Sequence, residues 1–217
     1  MNNFSAIVFD LDGTLADSLA DIADAMNRTL KQFNYPDYSY EEYKYLVGNG
    51  LKNLVYKALP QNKKEDKFVE ETLEVMMREY NKSYADKTTL YKGIPELLDV
   101  LSERKYKMAV LSNKADELTQ KITSVLLDKW KFEVILGASN KFARKPSPDS
   151  ALFMAEKMNA LPENILYLGD TDVDMQTANS AGMFSVGVTW GFRERKELEE
   201  NGAKLIIDYP TDLIKYL

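Results

Sequence analysis

Two short acidic runs hold the residues best suited to chemistry. The first is Phe9-Asp10-Leu11-Asp12-Gly13-Thr14, which closes the apolar run Ala6-Ile7-Val8-Phe9. Asp10 and Asp12 lie two residues apart, so strand alternation would point both carboxylates the same way, near enough to repel. A cation or a proton must relieve that. Gly13 then permits a sharp turn, and Thr14 offers a hydroxyl and a backbone N–H. The second run is Ile165-Leu166-Tyr167-Leu168-Gly169-Asp170-Thr171-Asp172-Val173-Asp174. A helix cap needs one acid, and here three crowd a single junction. The chain contains no His and no Cys. Two acidic strand ends in such a chain point to a hard cation held by oxygen, with Mg2+ the expected ion. The spelling Asp-x-Asp-x-Asp also resembles a calcium loop, but the required Gly and closing Glu are missing.

Two other segments supply the complement. Ser112-Asn113 follows the apolar run Met108–Leu111 and offers a hydroxyl and an amide at an expected helix start, where anions bind well. Lys145 stands in the proline-stiffened loop Lys145-Pro146-Ser147-Pro148-Asp149. Acids and a cation facing hydroxyl, amide and ammonium donors make a layout suited to a phosphoryl group. No Gly-x-x-x-x-Gly-Lys-Ser/Thr occurs, so a phosphate-cradling loop of that type is excluded. Gly48-Asn49-Gly50 lacks a third glycine and a preceding strand, so it is no dinucleotide fingerprint.

Composition narrows the chemistry further. Zero Cys among 217 residues removes disulfides, thiol catalysis and iron–sulfur clusters, and zero His removes imidazole acid–base catalysis and the Ser-His-Asp triad. The net charge of −6 argues against nucleic acid or an anionic membrane surface as partner. No basic-plus-apolar leader opens the sequence and no apolar run approaches the roughly 20 residues of a membrane span, so a cytoplasmic protein is expected.

Strands must carry these acids. Apolar runs at 6–9, 108–111, 134–136, 165–168, 184–188 and 205–207 read as buried strands. Between them Ile94, Leu97, Leu98 and Leu101 repeat at helical spacing, a second helix follows Lys114 through Leu127, and a third begins near Pro148-Asp149. Alternating strands and helices predict an α/β fold with a parallel sheet covered on both faces. Residues 17–88 break the rhythm: no second strand is expected for roughly ninety residues after the first. Ser18 and Ser39 look like N-caps, and a charged amphipathic helix is expected from about Lys63 to Tyr84. Eight of the thirteen tyrosines fall in this stretch. The expected organisation is therefore a core of residues 1–16 plus 89–217, with a helical module of residues 17–88 inserted.

Asp10-x-Asp12-Gly-Thr, Ser112-Asn113, Lys145-Pro and Gly169-Asp170-x-x-x-Asp174 resemble, in order and spacing, the four motifs of the haloacid dehalogenase superfamily. The resemblance spans essentially the whole chain. It implies a Rossmann-like core with a small α-helical cap after the first motif. Val47-Gly48-Asn49-Gly50-Leu51 and Gly187-Val188-Thr189-Trp190-Gly191-Phe192 look most like the phosphoglycolate phosphatase branch. By that resemblance Asp10 is the nucleophile forming an aspartyl-phosphate, and Asp12 protonates the leaving oxygen and later activates water. Asp10, the Asp12 carbonyl and Asp170 would hold Mg2+, with Asp174 around them. Thr14, Ser112, Asn113 and Lys145 would serve the phosphate, and Gly48, Asn49 and Gly50 the rest of the substrate. Asp12 favours phosphate transfer over dehalogenation, since a halide needs no proton. The expectation is a Mg2+-dependent phosphatase of a small phosphorylated metabolite such as 2-phosphoglycolate. A sugar phosphomutase, a pyrophosphatase or nucleotidase, and a catalytically inactive binding or regulatory module are the alternatives.

Overall fold

A computed structural model of the protein describes residues 4–217. In chain order it runs β1 (Ala6–Phe9), β2 (Ala16–Asp17), α1 (Leu19–Gln32), α2 (Tyr40–Leu46), α3 (Leu51–Ala58), α4 (Asp66–Asn81), β3 (Thr89–Leu90), α5 (Ile94–Glu103) and β4 (Lys107–Ala115). There follow α6 (Asp116–Leu126), β5 (Val134–Ala138), α7 (Asp149–Lys157), β6 (Ile165–Gly169), α8 (Asp172–Ser180), β7 (Phe184–Val188), α9 (Arg195–Glu200) and β8 (Leu205–Ile207).

Residues 4–17 and 90–217 form one compact unit. Its six strands lie in the order β5-β4-β1-β6-β7-β8, and every pairing is parallel. Parallel strands need covered faces, which explains why β1 and β6 are buried at every position. The helices α5, α6, α7, α8 and α9 connect the strands. In α5, Ile94, Leu97, Leu98 and Leu101 are all buried, as their spacing predicts. The chain runs outward from β1 through β4 to β5, then returns to build β6, β7 and β8 on the other side. Sheet order reverses beside β1, where open α/β sheets form a crevice at their carboxyl ends.

Residues 18–89 form the second unit, built from α1, α2, α3 and α4 around its own core of Met26, Leu30, Tyr43, Leu54, Met76 and Tyr80. Ser39 begins α2 with a complete capping box shared with Glu42. Buried Asp21 in the first turn of α1 accepts from the Lys87 N–H (2.9 Å), the Thr88 N–H (2.8 Å) and the Thr88 hydroxyl (2.6 Å). One carboxylate thus ties the unit's first helix to its last residues.

Three local expectations need correction. Ser18 stands at the N-cap position of α1 but its hydroxyl makes no capping bond. The helix expected from Lys63 starts at Asp66, because Glu65 is extended and residues 61–63 form a separate 3-10 turn. The roughly ninety residues after β1 expected to hold no strand contain two, the two-residue β2 and β3, which pair with each other. Two residues are too few for any periodicity to register. Among the described residues no helix is long and apolar enough to cross a membrane.

Candidate active site

β1 and β6 end side by side, and both deliver an acid at that end. The Asp10 N–H continues the ladder to the Leu168 carbonyl (2.9 Å). The chain then winds tightly: the N–H groups of Leu15 and Ala16 both bond the Leu11 carbonyl (3.0 and 2.9 Å). Gly13 turns at φ +91°, and a Cβ there would lie 2.2 Å from the Asp170 Oδ2 atom. Only glycine lets the two acidic loops approach so closely. Thr14 donates its hydroxyl to Asp170 Oδ1 (3.2 Å). At the start of α8, Thr171 is the N-cap and Asp174 its capping-box partner; Asp174 Oδ2 accepts from the Thr171 hydroxyl (2.7 Å) and N–H (3.1 Å). Asp174 therefore serves a cap with one oxygen and the site with the other. Asp172 begins the helix, half-buried, outside the acidic cluster.

Ser112, Asn113 and Lys114 are held by a bulge. Between the pairs Leu111↔Leu136 and Ala115↔Ala138 the register of β4 shifts against β5, so β4 carries extra residues there. The expected helix start at Ser112-Asn113 is therefore a strand that continues to Ala115. Asn113 bridges to the Lys145 backbone, donating to its carbonyl and accepting from its N–H, both at 3.0 Å. Ser112 accepts from the Lys114 N–H (3.1 Å). The buried Lys145 ammonium donates to Asp10 Oδ1 (2.8 Å), Asp174 Oδ1 (2.6 Å) and the Leu111 carbonyl (3.2 Å). Lys114, which nothing in the four motifs singles out, donates to both Asp12 oxygens at 2.9 Å.

The electrostatics follow. Burial raises the Asp10 carboxyl from 3.8 to about 7, with Lys145 opposing and Asp174 reinforcing the shift. Asp170 is held well above the ordinary carboxylate range, by burial first and then by Asp10 and Asp174. Burial disfavours the Lys145 ammonium, but Asp10 and Asp174 outweigh it and raise its pKa. Asp12 adds to the rise of Asp10, after Asp174, in the direction expected of two neighbouring carboxylates. Carboxylate oxygens of Asp10, Asp170 and Asp174 lie within 4.8 Å of one another. An all-oxygen set of buried acids, with two held above their usual range by burial and by one another, fits a hard divalent cation.

Residues 7–188 match the family model described as haloacid dehalogenase-like hydrolase. The chain belongs to that family. A phosphoglycolate phosphatase of Aquifex aeolicus is 35% identical over 97% of this chain and 95% of its own. One of Pseudomonas putida is 32% identical over 93% of this chain and 75% of its own. The crystal structure of a predicted phosphoglycolate phosphatase from Haemophilus somnus superposes with a TM-score of 0.91 at 30% identity, covering 100% of this chain and 99% of that one. Family and relatives make this haloacid dehalogenase-like hydrolase a phosphoric monoester hydrolase.

Within this hydrolase, Asp10, Asp12, Thr14, Ser112, Asn113, Lys145, Asp170 and Asp174 belong to the first unit. Gly48, Asn49 and Gly50 belong to the second, where φ is 126°, 58° and 85° in turn and Gly50 opens α3. Asn53 steadies the turn by donating to the Gly48 carbonyl (2.9 Å). Lys114 was findable: on an extended strand Ser112 and Lys114 share a side, and only the expectation of a helix there hid it.

Proposed function

We propose that this hydrolase is a Mg2+-dependent phosphatase of a small phosphomonoester, 2-phosphoglycolate, acting through a phosphoryl group carried on Asp10. The observation that carries the reading is the buried Asp10 carboxylate, held by Lys145 (2.8 Å) beside Asp170 and Asp174 at the end of β1. An Asp10 oxygen attacks phosphorus, the bond to the leaving oxygen breaks, and Asp12 gives that oxygen a proton. Asp12 must leave Lys114 to do so, so the paired state is a resting one. Asp12 then takes a proton from water as its oxygen attacks the aspartyl-phosphate, releasing phosphate and restoring Asp10. Lys145 and Ser112 bind phosphate oxygens, and Asn113 fixes the Lys145 backbone. Asp10, Asp170 and the Asp12 carbonyl would hold Mg2+, with Asp174 beside them, and the ion supplies charge neutralisation when bound. The inserted helical unit acts as the substrate-selecting cap through Gly48-Asn49-Gly50. The names of relatives similar over almost the whole chain support 2-phosphoglycolate as substrate.

The test is phosphate release from 2-phosphoglycolate, sugar phosphates, nucleoside monophosphates and pyrophosphate, with Mg2+ or EDTA. The expected result is Mg2+-dependent release with the highest kcat/KM on 2-phosphoglycolate. Asp10→Asn should lower kcat by about a thousandfold or more, about 4 kcal/mol of barrier, while melting normally. Release in EDTA equal to that in Mg2+ removes the cofactor assignment, a better substrate removes 2-phosphoglycolate, and an active Asp10→Asn removes the nucleophile.

A further inference from the structure

The segment that follows β7 touches both acidic loops. Trp190 donates its indole N–H to the Thr14 carbonyl (2.9 Å), and the Phe192 N–H donates to Asp170 Oδ2 (2.8 Å). Gly191, between them, lies so close that a Cβ would stand 2.3 Å from the Asp170 Cβ and 2.4 Å from the Gly13 carbonyl oxygen. The far side of the segment is pinned to β8: the Thr189 N–H bonds the Ile207 carbonyl (3.2 Å) and its hydroxyl bonds Asp208 (2.7 Å). Each Asp170 oxygen thus has a fixed donor, Oδ1 from the Thr14 hydroxyl and Oδ2 from the Phe192 N–H. The indole in turn fixes the backbone of the turn that carries that hydroxyl.

We propose that Trp190-Gly191-Phe192 is a positioning brace that sets the cation affinity and ion selectivity of the acidic cluster by fixing Asp170. The inference rests on the divalent-cation reading above. Groups that hydrogen-bond a ligating carboxylate orient it, and losing them typically costs about 10–100-fold in metal affinity. A small ion demanding near-octahedral geometry suffers more from a loosened ligand than a larger ion with flexible coordination, so rigidity favours Mg2+ over Ca2+.

The test is direct titration calorimetry of Mg2+ and Ca2+ into the full chain, without substrate, for wild type, Trp190→Phe and Gly191→Ala. Trp190→Phe keeps an aromatic ring at lower volume and removes the indole N–H, so it carries the test should Gly191→Ala fail to fold. Mg2+ affinity should fall about tenfold in Trp190→Phe and Ca2+ affinity by no more than about twofold. Any result in which Mg2+ does not lose more than Ca2+, including parallel losses through lower stability, overturns the brace. Absence of cation binding by the wild type would instead overturn the metal reading on which it rests.

Discussion

Lys145→Met removes an ammonium from beneath buried carboxylates and replaces it with a side chain of similar length and no charge. Two short ion pairs disappear, to Asp10 (2.8 Å) and Asp174 (2.6 Å), together with a bond to the Leu111 carbonyl. Breaking a buried pair by deleting one partner costs about 3–5 kcal/mol, because the remaining charge stays buried without its counter-ion. Protonation offers a partial escape. Asp10 is already raised from 3.8 to about 7, so stability of the metal-free chain falls as pH rises from about 4 to about 7. Without Lys145, whose charge lowers that value, the folded carboxyl titrates higher still and the fall continues above pH 7. The gap between wild type and variant should therefore be about 3–5 kcal/mol near pH 8.5 and about 1–2 kcal/mol smaller near pH 6, at about 1.4 kcal/mol per pH unit. At about 2–4 °C per kcal/mol, the midpoint drops by about 10 °C at the higher pH. Differential scanning calorimetry in EDTA at both values measures this. Equal losses at the two pH values, or no loss near pH 8.5, would show that Lys145 does not neutralise these acids.

Asp12→Asn and Lys114→Met, combined in a double-mutant cycle on thermal stability, should show a coupling of about 1–3 kcal/mol; additive losses would mean that the bidentate contact contributes nothing. Asp21→Ala leaves the Lys87 and Thr88 N–H groups without their acceptor and the Thr88 hydroxyl with only the Tyr84 carbonyl, and should destabilise the helical unit by about 3 kcal/mol, read by urea unfolding; a loss under about 1 kcal/mol would refute the clamp. Asn49→Ala should change the ranking of kcat/KM among two-carbon, sugar and nucleotide monophosphates more than it changes the melting midpoint, whereas a parallel change in all three would leave the Gly48-Asn49-Gly50 turn no part in selectivity.

The sheet was legible because burial on both faces makes its central strands β1 and β6 unbroken apolar runs, and the other strands keep short apolar stretches. The runs at 184–188 and 205–207 are β7 and β8 residue for residue, and β6 extends its run by Gly169 alone. The acids at those strand ends were legible for the same reason, since a charge directly after a buried run marks its end. What stayed hidden was tertiary. The bulge of β4 depends on its register against β5, whose partners to Leu111 and Ala115 are Leu136 and Ala138, so Ser112-Asn113 looked like a helix start and Lys114 had no role. The double duty of Asp174 was equally invisible: a capping box explains its place beside Thr171, and only the fold brings Lys145 to its other oxygen. The Trp190-Gly191-Phe192 segment carried a resemblance but no chemistry until its contacts with Thr14 and Asp170 were seen.

The Asp21 clamp also bears on the order in which the chain assembles. β1 and β4 pair from Ala6 to Lys107, a separation of 101 residues, and the clamped unit occupies 72 of them. Its entry helix and exit residues are held together by one carboxylate within the unit itself. The first unit mirrors this with its own closure, as the Tyr91 N–H bonds the Leu15 carbonyl (3.1 Å). If the helical unit folds first, the stretch still to be closed between β1 and β4 shrinks to 29 residues. That lowers the entropy cost of forming the sheet's central pair by about 1 kcal/mol. An insertion closed on itself in this way adds little chain-closure cost to the sheet that hosts it, whose register sets Asp10 against Asp170.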